Sequence, residues 1–261
     1  MLSVARISSD ASDLQDIHAD VWHAHALASA PQAVQSTGDA RLDAQLPGGG
    51  WPVGALIELL QPAGVHSEWR LLLPALARSG QGPVVLVGAP QPPFVPALAA
   101  QGLAVARLVW VTAQAAPARL WAAEQALRCA EVDAVLAWLP QARGDQLRRL
   151  QMAAAEHHKL LFVMRPPQAQ ADASPALLRL QLAPQTQAVA PAQAAGSDTL
   201  AVHILKRRGP PLAEPLVLQA RPARLAVWLA ASQLPALAPT EVSVDVEKEA
   251  DHALDRIAAV A

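Results

Sequence analysis

Tyrosine is absent from this chain of 261 residues, cysteine occurs once, and lysine supplies only 3 of the 20 basic residues. The lone Cys129 excludes an internal disulfide framework and any zinc site built on several thiolates, and it fits a reducing compartment. The lysine and tyrosine shortages, set against 17 arginines and 7 tryptophans, read as coding bias before chemistry. Charge of one sign is also lacking: 20 basic against 22 acidic residues leave a formal net charge of −2, so no global basic field points to nucleic acid. No apolar run reaches the roughly 18 residues of a membrane span. The opening MLSVARISSDASDLQD meets Asp10, Asp13 and Asp16 with no hydrophobic stretch, unlike a secretory signal. A cytoplasmic, globular protein is the expectation.

What is plentiful is alanine, at 58 residues, and proline, at 23. Alanine and leucine favour helices, while the prolines cut the chain into short elements. Residues 1–30 predict a short helix in which Asp13 caps the turn before Ile17 and Val21; 31–50 reads as loop. Strands are predicted at Ala55–Leu60, Pro83–Gly88, Arg107–Val111, Val132–Trp138 and Leu160–Met164, as short apolar runs bounded by turn residues. Helices are predicted between them at Glu68–Arg78, Phe94–Gln101, Ala118–Ala130 and Gln146–His157, with Glu124 and Arg128 an i,i+4 pair. This alternation implies βαβ units and a mostly parallel sheet flanked by helices. Residues 166–175 predict a loop. Strands at Leu177–Leu182, Leu200–Lys206 and Leu216–Gln219 extend the sheet, with 184–198 a low-complexity hairpin tip. The division is 1–35, N-terminal helix and linker; 36–230, core; 231–261, linker and acidic tail, where Val246, Ala250, Leu254 and Ile257 share one helical face.

Isolated residues carry little chemistry. His157 and His158 suit a helix C-terminus, and His23 and His25 lack a third metal ligand. Trp22, Trp51 and Trp69 read as packing anchors, and Cys129 as a buried small hydrophobe. No nucleophile–His–Asp constellation is legible.

The informative stretch is Ser36–Pro62, STGDARLDAQLPGGGWPVGALIELLQP. Its Ser36, Thr37, Gly38, Leu42, Asp43, Leu46, Gly49, Gly50, Pro52, Gly54, Glu58 and Pro62 resemble, without a gap, the approach to the ATP site in the RecA/RadA recombinase superfamily. The resemblance implies a RecA-like, P-loop NTPase-type core. A P-loop then needs Gly-Lys-Ser/Thr, whose backbone N–H groups and lysine hold phosphates and whose hydroxyl holds magnesium. This chain reads Gln61-Pro62-Ala63-Gly64-Val65-His66-Ser67-Glu68, so the loop is degenerate at Gln61, Gly64, His66, Ser67 and Glu68, and Glu68 brings a carboxylate towards the phosphates. Pro90 stands at the position of the carboxylate that positions water, and Trp138 at that of the magnesium-ordering Asp. These losses imply no hydrolysis of ATP and no bound cofactor or metal.

Further pieces, Leu120–Arg128, Ala137–Pro140, Gln146–Leu150 and Ile204–Pro211, resemble the ImuA family. These are degenerate RecA-like proteins encoded with ImuB and an error-prone C-family polymerase in many bacteria. The resemblance covers about residues 15–225 and implies a non-catalytic accessory factor in damage-induced (SOS) translesion synthesis. Its partners would be RecA and/or the ImuB–polymerase complex, with no membrane and at most weak or indirect DNA contact. The partner-binding residues it implies are Lys206, Arg207 and Arg208 on a basic edge, and Trp22 on the N-terminal helix. The alternatives are a SulA-like cell-division inhibitor and a weak nucleotide-binding recombinase regulator.

Overall fold

The computed structural model describes residues 32–186, 198–209, 212 and 214–219. The chain divides into two compact units, Met1–Pro222 and Ala223–Ala261, and every described residue lies in the first. The expected helix within 1–30, most of the 184–198 hairpin tip and the acidic tail lie outside the described residues.

Five parallel strands follow the apolar runs of the sequence: β3 (Ala55–Leu60), β4 (Val84–Val87), β5 (Leu108–Val111), β6 (Ala134–Trp138) and β7 (Leu160–Arg165). With β8 (Leu178–Thr186), β9 (Asp198–Lys206) and β10 (Leu216–Gln219) they form an eight-stranded sheet in the order β10-β9-β8-β3-β7-β6-β4-β5. Pairing is parallel from β5 through to β8, and antiparallel for β8–β9 and β9–β10. β8 and β9 run further into the Gln- and Ala-rich region than composition indicated, to the pair Thr186–Asp198, because ladder bonds join backbones of any sequence.

Side chains alternate across a strand, so the sheet buries two cores. On one face Ile57, Leu59, Leu86, Leu136 and Phe162 meet α1 (Ala40–Gln45), α2 (Glu68–Leu76) and α3 (Val95–Ala100). On the other face Leu56, Val85, Val135, Leu161 and Val163 meet α4 (Ala116–Arg128) and α5 (Gly144–Glu156). In α5 the buried Leu147, Leu150, Ala153 and Ala154 recur at helical spacing. Glu124 joins the two helices, bonding Arg128 at 2.9 Å and Arg149 of α5 at 2.6 Å.

The region 31–50 is more ordered than a loop. It contains β1 (Val34–Gln35), paired antiparallel with β2 (Trp51–Pro52), and α1. A six-residue helix does not persist alone. Burial of Leu42 and Leu46, at roughly 2 kcal/mol each, holds α1 in place. Asp39 caps it by accepting from the Arg41 and Leu42 N–H groups at 2.9 and 3.3 Å. Asp43 folds the preceding turn onto the helix, accepting from Ser36 Oγ at 2.7 Å and from the Thr37 N–H at 2.8 Å. Burial pushes the Asp43 pKa up, but the Thr37 and Ser36 hydrogen bonds and the Arg78 charge outweigh it and hold the carboxyl below its ordinary 3.8. Gly38, at φ +92°, passes so close to Pro74 of α2 that a Cβ would lie 2.5 Å from the Pro74 Cβ. The Ser-Thr-Gly/Leu-Asp pattern is thus a folded turn wedged against α2.

Trp51 is a packing anchor as expected, fully buried, with its ring 5.5 Å from Phe162 and edge-on to it. Cys129 is not a buried hydrophobe. It sits exposed just past the end of α4 and donates to Glu131 Oε2 at 3.2 Å, which holds the Glu131 carboxyl below its ordinary value. Among the described residues, no helix is long and apolar enough to cross a membrane.

Candidate functional site

The chain leaves β3 for β4 on one side of the sheet, and β8 later pairs with β3 on the other. In open α/β sheets, ligands bind outside the carboxyl ends of the strands at such a switch point. A cavity of about 450 Å³ lies there, walled by the Gln61–His66 loop and by the ends of β4, β5, β6 and β7. Among the described residues, no Asp or Glu lines it.

The loop after β3 is held by its own groups. The Gln61 N–H donates to the Arg165 carbonyl at 3.1 Å, and the Val65 N–H closes a turn on the Pro62 carbonyl at 3.2 Å. Pro62 has no N–H to offer. Glu68, the first residue of α2, is buried, with its carboxylate accepting from Gln61 Nε2 at 2.6 Å and lying 3.4 Å from His66 Nδ1. An anion at a helix N-terminus is favourable; here the protein supplies that anion. The sequence expectation that Glu68 would meet bound phosphate is refined accordingly: its carboxylate turns to Gln61 and His66, and neither Ser67 nor Glu68 lines the cavity.

Gln61, Gly64 and His66 do line it, as do Pro90 and Trp138. Trp138 ends β6, is 8 % exposed, and has a buried Nε1 with no hydrogen-bond partner. Arg119 of α4 crosses the mouth, its Nε donating to the Ala113 carbonyl at 2.8 Å and Nη1 reaching the Trp138 carbonyl at 3.5 Å.

Beneath the loop end, Glu58 of β3 is fully buried between two arginines. Its Oε1 accepts from Arg165 Nη1 at 3.1 Å and its Oε2 from Arg179 Nε at 2.5 Å. Arg165 also bonds Asp172 at 2.8 Å, and Arg179 reaches the carbonyls of Ala169, Gln170 and Asp172. The cluster therefore ties β3, β7 and β8 to the 3-10 turn Pro167–Ala171, a turn inside the segment expected to be loop.

The basic run lies elsewhere. Lys206, at the end of β9, pairs in register with Arg179, is exposed, and donates to the Ser174 carbonyl at 3.1 Å. Arg207 donates to the backbone carbonyl and side-chain oxygen of Gln45, fastening the run to the end of α1. Arg208 is exposed. None of the three lines the cavity, and Trp22 lies outside the described residues. Sequence reasoning missed Arg119, Arg165 and Arg179. The one signal for Arg165 and Arg179 was the need of Glu58, an acid inside an apolar strand, for a cationic partner; nothing in the sequence marked Arg119. Among the described residues, no cluster of three or more His, Cys, Asp or Glu could hold a metal ion.

No protein-family model matches the chain, and no curated protein matches it.

Proposed function

We propose that the chain is a non-catalytic, RecA-like accessory factor of the ImuA type, which acts in damage-induced error-prone DNA synthesis by docking on a RecA filament, on an ImuB–polymerase complex, or on both. The observation that carries this reading is the filled phosphate position. The loop between β3 and α2 is braced from within by Gln61, His66 and the buried carboxylate of Glu68. Pro90 and Trp138, which the resemblance sets at the positions of a motor's carboxylates, both line the cavity. A strand–loop–helix unit at the centre of a mostly parallel sheet supports the RecA-like assignment. With the phosphate-handling groups replaced, what is left of the motor is its surface. The exposed Lys206 and Arg208 supply an edge suited to an acidic partner face.

The test is sedimentation of the purified chain with RecA on single-stranded DNA in the presence of ATP, with bare DNA and free RecA as controls. Binding that requires RecA, and that falls about tenfold or more in Lys206→Glu/Arg208→Glu, is the expected result; that drop corresponds to roughly 1.4 kcal/mol. Equal binding to bare DNA would overturn it. If no arm binds, the same double variant is tested against ImuB.

A further inference from the structure

The arginine at the cavity mouth has no carboxylate. Arg119 donates to two backbone carbonyls, one of them at 3.5 Å. Among the described residues its Nη2 has no partner, and no acidic side chain lines the cavity it faces. A guanidinium with one edge open to a cavity can take an anionic oxygen there in a charge-assisted hydrogen bond.

Trp138 and Arg165 also line the cavity, but their ring and guanidinium Nε atoms are sealed from it, so Arg119 is the cation that a bound anion would meet. Trp110, Pro90, Pro140 and Met164 supply flat or apolar wall, and Gln61, His66, Thr112 and Gln114 add uncharged or weakly basic polar groups. Gly88, at φ +66°, makes the placement of Arg119 possible. A Cβ there would lie 2.7 Å from the Arg119 Cδ and Nε, so the bare backbone lets the arginine lie across the end of β4.

From these features we infer that the strand-end cavity binds a planar aromatic molecule carrying a single anionic head group, with the head on Arg119 and the ring against Trp138 and Trp110. A volume of about 450 Å³ suits two or three rings with a head group. A polyphosphate does not fit this account. The loop that would cradle it has Pro62 without an N–H, the Val65 N–H already used, and a carboxylate at the start of the helix. The inference is independent of partner docking, so failure to bind a RecA filament leaves it standing.

The probe is 8-anilino-1-naphthalenesulfonate, an aromatic monoanion, titrated calorimetrically into the full chain. The uncharged N-phenyl-1-naphthylamine serves as the same body without the head. One site per chain is expected, with affinity for the sulfonate lowered at least tenfold by Arg119→Gln and less by Arg119→Lys. Gly88→Ala should weaken it as well, by displacing the arginine. The neutral amine should bind wild type and Arg119→Gln alike, and ATP should not displace the sulfonate. Equal sulfonate affinity in Arg119→Gln would overturn the inference. So would equal affinity of wild type for the charged and neutral probes, or displacement of the sulfonate by ATP near its stoichiometric concentration. Thermal unfolding of each variant separates loss of the site from loss of the fold.

Discussion

The two ends of the parallel sheet treat arginine in opposite ways. At the amino ends of the strands, Arg107 is buried. It donates to the carbonyls of Gly82 and Leu76, to Ser79 Oγ, and to Asp133 Oδ2 at 3.0 Å. Asp133 also accepts from the Gly82 N–H at 2.7 Å, so charge and hydrogen bonds close on themselves. In the middle of the sheet Glu58 serves Arg165 and Arg179 in the same way. At the carboxyl ends, Arg119 has two carbonyls and, among the described residues, no carboxylate. A buried arginine held by a carboxylate is a structural bolt. A half-buried one beside a cavity, with no carboxylate among the described residues, is open to an anionic ligand.

Substitutions at the two kinds of arginine site should differ in their cost. The largest effect is expected at Glu58. Removing its carboxylate strands two buried guanidinium groups, and Glu58→Ala should cost about 3–5 kcal/mol in denaturant unfolding. Asp133→Ala should follow at about 2–3 kcal/mol, since the Asp133 side chain is 23 % exposed and water partly replaces it. Arg119→Gln should change stability by no more than about 1 kcal/mol, because it forfeits carbonyl hydrogen bonds and no ion pair. A cost as large as that of Asp133→Ala would erase the distinction between bolt and site.

Asp43 is a carboxylate held chiefly by N–H and O–H donors, so it measures how much arginine matters. Its pKa is lowered in the folded state, so its contribution is complete above the ordinary 3.8 and is lost as pH falls through the lower folded value. Asp43→Asn should flatten acid unfolding in that window and cost about 1 kcal/mol at neutral pH. The smallest effect belongs to Glu124→Gln, whose arginine partners Arg128 and Arg149 are 53 % and 70 % exposed; a change within about 1 kcal/mol that shrinks with added salt is expected.

The central strands were legible because a parallel strand covered on both faces is apolar throughout, as in Val84–Val87, and the turn residues flanking each run set its length. β5, at the sheet edge with Val109 and Trp110 exposed, was legible from its β-branched and aromatic residues. The turn at Ser36–Asp43 was legible as a pattern but not as structure. α1 is too short to show periodicity, and its stability comes from Leu42 burial and the Asp39 cap. Exposure of Cys129 was not legible, since one residue past a helix end its surroundings depend on how the next strand departs. Within the site, the degenerate loop could be read residue by residue. The partners of Glu58 could not, because Arg165 and Arg179 lie 107 and 121 residues away in sequence and meet it only through strand order. Arg119 was hidden for a related reason: whether an arginine on a helix has a counter-ion depends on what the neighbouring strand ends supply.

We propose that the Gln61–Glu68 loop fills the place where a RecA-like motor would hold phosphate. Calorimetric titration of the purified protein with ATP and magnesium is the test. No heat of binding up to about 1 mM nucleotide, equivalent to an affinity weaker than roughly −4 kcal/mol, is the predicted result. Saturable binding at micromolar concentrations, lost on substitution in the Gln61–Ser67 loop, would contradict it.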